Sequence, residues 1–159
     1  MGFLILPMAM VAIFLGLGMQ AMGFANAVPG AGPVGMSQQL AQTRAQQAEM
    51  LENACFEAAL TSPGTISSNL TVVVPSGVVL PTGAMCVTSS AGGGSRNVYS
   101  VVPGAPGAAA AIEHDTGHSA AWYEVTASGI ATNLADGTSI AVPATFAKGS
   151  IVASILATP

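Results

Sequence analysis

The side chains able to catalyse or coordinate gather within six positions. They are Glu113, His114, Asp115 and His118, with Thr116 and Gly117 between them. Two imidazoles four residues apart share one face of a helix, the spacing of a paired zinc-ligand set. Gly117 interrupts a helix at that point, and no third ligand follows at metal-site spacing. Asp115-Thr116-Gly117 also matches the three-residue core of aspartic protease sites. That chemistry needs two carboxylates sharing one proton, and here no second Asp-Thr-Gly exists. Ser119 lies near His118 and Asp115 but outside any Gly-x-Ser-x-Gly elbow. Gly92-Gly93-Gly94 lacks the Lys-Ser/Thr that completes a phosphate loop. A polar loop closing an Ala-rich helix accounts for residues 113–118. The expectation is a non-enzymatic chain with no catalytic, cofactor-binding or metal-binding residue. An exported enzyme built on Asp115, His114 and His118 is the alternative from a different functional class.

Cys55 and Cys86 are the only cysteines. An even count outside the cytoplasm points to one disulfide. It would join a helix to the following β region and close a loop worth ~3 kcal/mol in chain entropy. Zinc is not expected, because the paired spacings of zinc sites are absent.

Composition narrows the partners. Three basic residues (Arg44, Arg96, Lys148) face seven acids, and charged residues make up 6% of the chain. Ordinary soluble domains hold roughly a quarter. Nothing here can neutralise a row of phosphates, so no nucleic-acid partner is expected. The polar surface must come from Ser, Thr, Asn, Gln and Gly, as in subunits whose neighbours cover them. The expected partners are a membrane, other subunits of an assembly and further copies of the chain.

The elements that place these residues begin with an apolar run, FLILPMAMVAIFLGLGM, from Phe3 to Met19. A run of ~18 apolar residues reaches across a hydrocarbon core, so residues 1–25 read as a transmembrane anchor. Ala25-Asn26-Ala27 fits a signal-peptidase site, but no basic segment precedes the run, and the retained anchor is the reading preferred. With the short N-terminus placed in the cytoplasm, the rest lies outside. Residues 26–36 (NAVPGAGPVGM) read as a Gly/Pro linker.

Residues 37–159 read as one extracytoplasmic α+β domain. Ser37 serves as N-cap of a helix through about Leu60. Ala41, Ala45, Ala48, Leu51, Cys55 and Ala58 recur every three or four residues and share its inner face. Pro63-Gly64 stops it, and the period then changes. Leu70–Val74, Gly77–Leu80, Met85–Thr88 and Asn97–Val102 read as strands, with Ala91–Ser95 a flexible loop. A short helix is expected over 108–113. Ala120–Ala127, Ile130–Leu134, Ser139–Val142 and Ile151–Leu156 complete a small, mainly antiparallel sheet, with Asp136-Gly137 as a hairpin turn.

The order of parts resembles the PilM family of type IVb and conjugative thin pili. The resemblance rests on the apolar N-terminus, on QQLAQTRAQQAEML (Gln38–Leu51), on GHSAAWYEVTASGIAT (Gly117–Thr132) and on IAVPATFAKGSIVA (Ile140–Ala153). Residues 61–107 match no pattern of the family. The resemblance implies a non-enzymatic role in pilus biogenesis, with the domain held outside a bacterial inner membrane, and it transfers no catalytic residue. A pilin-like filament subunit has a similar plan. Pilins place a Glu five residues into the mature chain, where counting from Phe3 reaches Pro7. A membrane-associated virion structural protein is an alternative of the same physical class.

Overall fold

The structure is a computed structural model that describes residue 10, residues 13–17, 19–20 and 23, and residues 32–158. Residues 1–39 and 40–159 form two compact units. In the first, the described residues from 10 to 23 are helical, and Met10, Ile13, Phe14, Leu15, Leu17 and Met19 expose their apolar side chains. Most of the expected anchor over 1–25, and residues 26–31 of the expected linker, lie outside the described residues. Among those described, no helix is long and apolar enough to cross a membrane.

Helix α1 spans Gly32–Thr61, so it starts five residues before the expected cap. Pro33 stands at its beginning, where a missing N–H removes no intrahelical bond. Ser37 is therefore inside the helix, and its hydroxyl donates back to the Val34 carbonyl at 2.7 Å. Residues 32–36, read as linker, are the first turn and a half. The small-residue stripe is buried at Ala41, Ala45, Ala48, Leu51 and Cys55. Ala58 sits at its margin, half-buried, and Ala54 and Ala59 take the inner positions instead.

Six strands follow: β1 (Met85–Gly92), β2 (Ser95–Val102), β3 (Trp122–Ala127), β4 (Ile130–Asn133), β5 (Ser139–Ala141) and β6 (Ile151–Ala157). Their spatial order is β1-β2-β6-β3-β4-β5, and every neighbouring pair is antiparallel. The α+β class with an antiparallel sheet is thus the observed architecture. The last strand in sequence lies between β2 and β3, so those two run the same way. Helix α2 (Ala108–Asp115) makes the crossover between them.

The expected loop at Ala91–Ser95 is the tip of a hairpin. Gly93 and Gly94 both take positive φ, at 60° and 84°, as a tight primed turn requires, a conformation that Gly adopts without strain. The expected strands at Leu70–Val74 and Gly77–Leu80 are not strands. The chain touches the outer edge of β1 only briefly. Ser67 and Thr88 exchange backbone bonds of 3.2 and 2.8 Å, and the Leu70 N–H donates to the Cys86 carbonyl at 2.7 Å. Beyond that point the β-branched run has the composition of a strand but no neighbouring strand to form a ladder with. Composition favours extended backbone; only pairing makes a sheet.

Alternation along the strands separates two cores. On one face Val102, Ile151, Ala153 and Trp122 meet Ala45, Ala48 and Leu51 of α1 and Ala108 and Ile112 of α2. On the other, Val87, Tyr99, Val101, Val125 and Val152 are covered by Val142 and Phe146 from the loop before β6. Tyr99 and Phe146 meet edge to face, with ring centroids 5.7 Å apart. That loop also passes so close to Gly104 that a Cβ there would collide with the Gly149 carbonyl.

Candidate functional site

The structure extends α2 to Asp115, so His114 and Asp115 end a helix and His118 begins the loop beyond it. The two histidines do not converge. His114 Nδ1 lies 3.2 Å from Asp115 Oδ1, and His118 Nδ1 lies 2.8 Å from Glu113 Oε1. Each imidazole has its own carboxylate, and both rings are largely in solvent. Gly117 and His118 both take φ of 62°, which turns His118 away from the helical register that i, i+4 spacing assumed. The Ser119 hydroxyl accepts from the Ala121 N–H at 3.4 Å and, among the described residues, donates to no base. Among the described residues no group of three His, Cys, Asp or Glu could hold a metal ion. This arrangement provides two exposed imidazole–carboxylate contacts.

A stronger constellation, which the sequence reading passed over, holds the end of α1. Arg96 is only 6% exposed. Its guanidinium donates to the Ser62 carbonyl at 2.6 Å, to the Thr65 carbonyl at 3.2 Å and to the Ala59 carbonyl. Ala59 lies in the last turn of α1 and Ser62 just beyond it, where a cation opposes the helix dipole. Arg suits the role because its planar fork reaches several acceptors at once. The signal available in the sequence was a single Arg inside an otherwise uncharged strand.

Beside it, Cys55 of α1 and Cys86 of β1 form a disulfide with their Cα atoms 5.5 Å apart, buried with Ala59, Val98 and Ala157. Thr88 completes the fastening. Its hydroxyl accepts from the Ser67 N–H and donates to the Thr65 carbonyl, both at 2.8 Å. The C-terminal end of α1 is thus bound to β1 and β2 covalently, by charge and by hydrogen bonds.

The remainder of α1 meets α2 along an acidic seam. Gln42 Nε2 donates to Asp115 Oδ2 at 3.2 Å. Burial raises the Glu49 carboxyl above its ordinary range, and the Asp115 charge raises it further. Burial likewise raises Glu52, and Glu49 adds to that. One Glu49 carboxyl oxygen is shielded from water without a hydrogen-bond partner among the described residues. The unfavourable element is like charge held in partly dehydrated surroundings.

The flank of α1 that faces residues 71–75 is different in kind. Met50, Ala54 and Glu57 face Val73, Val74 and Pro75 across a hollow of about 380 Å³. A second hollow of about 210 Å³ continues it toward Thr61 and Thr71. Val73 is 87% exposed and Val79 78%. Gln47 Nε2 ties this segment to α1 through the Val79 carbonyl at 2.7 Å. The geometry thus presents a partly apolar surface between α1 and residues 71–75.

No family model matches the chain, and no curated protein matches it. Among solved structures, the crystal structure of the protein described as PilM from Escherichia coli B7A aligns with it at a TM-score of 0.48 and 17% identity. The alignment covers 74% of this chain and 93% of that one.

Proposed function

We propose that this chain is a non-enzymatic, membrane-anchored assembly component of a type IV, conjugative-type pilus or a related envelope machine. Residues 1–25 anchor it in a bacterial inner membrane, and residues 37–159 dock to other subunits on the outer side. The observation that carries the reading is the pairing of two features. An apolar helical segment exposes Ile13, Phe14, Leu15, Leu17 and Met19, side chains that lipid would cover. The following body is stapled by a disulfide and offers a weakly charged, partly apolar surface. The sequence resemblance to the PilM family points the same way.

The test is fractionation with mass spectrometry of the mature N-terminus. The full chain is expected in the membrane pellet, resistant to carbonate and released by detergent. Cleavage after Ala27 would make it an exported soluble protein and end the anchor reading.

One observation favours a second reading, the pilin-like subunit. Helix α1 runs 30 residues from Gly32, so the break expected between anchor and helix loses residues 32–36 to the helix. A filament subunit would be recovered from sheared surface pili; an assembly component would remain with the cell envelope.

A further inference from the structure

We propose that Thr71–Val74 is a docking strand, and that its occupant is an extended segment of a different protein, alternately apolar and flanked by Lys or Arg. The proposal rests on the assembly reading above and names the surface it would use.

The run LTVVV from Leu70 has the composition of a strand, and its burial alternates as a strand's does. Val72 and Val74 turn inward, while Thr71 and Val73 face water. Among the described residues, no hydrogen bond engages the backbone of Thr71, Val72, Val73 or Val74. Extended backbone with unpaired donors and acceptors is what strand addition uses. Val73, almost wholly exposed, presents apolar surface that a partner would cover. The adjoining hollows share Ala54, Glu57 and Val73 and follow α1 from Met50 to Thr61. At 1.5 Å per residue that is a length of roughly 16 Å, which suits about five extended residues.

Charge selects the occupant. The chain has a formal net charge of −4, and Glu57 stands in the groove. The basic residues are committed or remote. Arg96 is buried against carbonyls, and Arg44 donates to the Gln47 side chain at 3.3 Å. Lys148 is in the loop before β6, whose Phe146 packs on the sheet face away from α1. A second copy therefore has no basic-flanked strand to offer, whereas a basic segment of another protein complements the groove.

The experiment adds a synthetic peptide, Lys-Val-Thr-Val-Thr-Val-Lys with blocked ends, to the full chain in detergent and follows amide hydrogen exchange. The amides of residues 71–74 are expected to exchange at least tenfold more slowly at millimolar peptide. A Glu-ended peptide should bind about tenfold more weakly, and one N-methylated at alternate residues should not slow exchange. Val73→Lys should weaken binding at least tenfold with the melting transition unchanged, because that side chain lies in solvent. Unslowed exchange at 71–74, or equal binding of the Glu-ended peptide, overturns the proposal. So does protection without peptide that grows with protein concentration, since that means self-pairing.

Photo-crosslinkers at Val73 and at Leu156, an exposed side chain of β6 outside the groove, in native membranes separate this proposal from the broader one. A basic-flanked strand of another subunit mapped to Val73 supports both. Capture at Leu156 alone leaves the assembly role standing and removes this docking site. Capture at neither position overturns both.

Discussion

At the scale of single residues, Arg96 has the largest identifiable effect. Its buried side chain answers the carbonyls of Ala59, Ser62 and Thr65, and charge-assisted hydrogen bonds contribute more than neutral ones. Arg96→Ala should cost about 2–4 kcal/mol in urea unfolding. Arg96→Lys should recover only part of that, because one ammonium cannot reproduce the planar fork. Glu49 and Glu52 give a pH dependence of defined sign. Their folded-state pKa values are raised, so the protonated form favours the fold. Their contribution is complete below the ordinary value of 4.5 and is lost as pH rises through the higher folded-state values. Stability should therefore fall across that window, and the Glu49→Gln, Glu52→Gln double variant should flatten the profile and be the more stable at pH 7. Asp136 acts in the opposite sense. Backbone and hydroxyl donors from Thr138 hold its carboxyl below 3.8, so its contribution disappears as pH falls through that lowered value. Denaturation midpoints measured from pH 3 to 8 check both signs.

At the scale of elements, the question is what keeps a narrow, Ala-lined helix on a sheet. Ala buries little apolar area, so α1 gains less from contact than a Leu-faced helix would. The disulfide, Arg96 and the Thr88 contacts fasten its C-terminal end instead. Replacing Cys55 and Cys86 by Ala should cost ~3 kcal/mol, read as a lowered denaturation midpoint in non-reducing buffer, with wild type falling to match under reductant. The small residues also set the approach distance. Ala45 and Ala48 are fully buried against the sheet, and Ala48→Leu should cost about 1–3 kcal/mol through overpacking. Much of this level was legible beforehand. The 3.6-residue stripe located the inner face of α1, and alternation with turn residues located β1 to β6 to within a few positions. The errors came from local signals with two meanings. Pro33 reads as a breaker but is tolerated in a first turn, and Gly93-Gly94 reads as slack but forms a hairpin tip. Leu70–Val74 reads as a strand because its composition cannot report whether a neighbour exists.

At the scale of the whole molecule, the proposed role makes a localisation prediction. Deleting residues 1–25 should move the chain from the membrane pellet to the cytoplasmic supernatant, with Cys55 and Cys86 reduced until the purified chain is oxidised in vitro. Retention of the deleted form in the pellet would count against lipid anchoring. The amino-acid order alone determined the apolar start, the scarcity of charge, the helix stripe, the positions of most strands and the two cysteines free to pair. Those properties follow from side-chain chemistry and short periodicities, which a linear chain displays directly. Three things needed the folded form. One is the insertion of β6, the last strand, between β2 and β3. Another is the placement of Arg96 under the end of α1. The third is the separation of His114 from His118 onto different carboxylates. Each depends on which distant segments share space, and that is decided by the joint burial of both sheet faces, a quantity no local window contains.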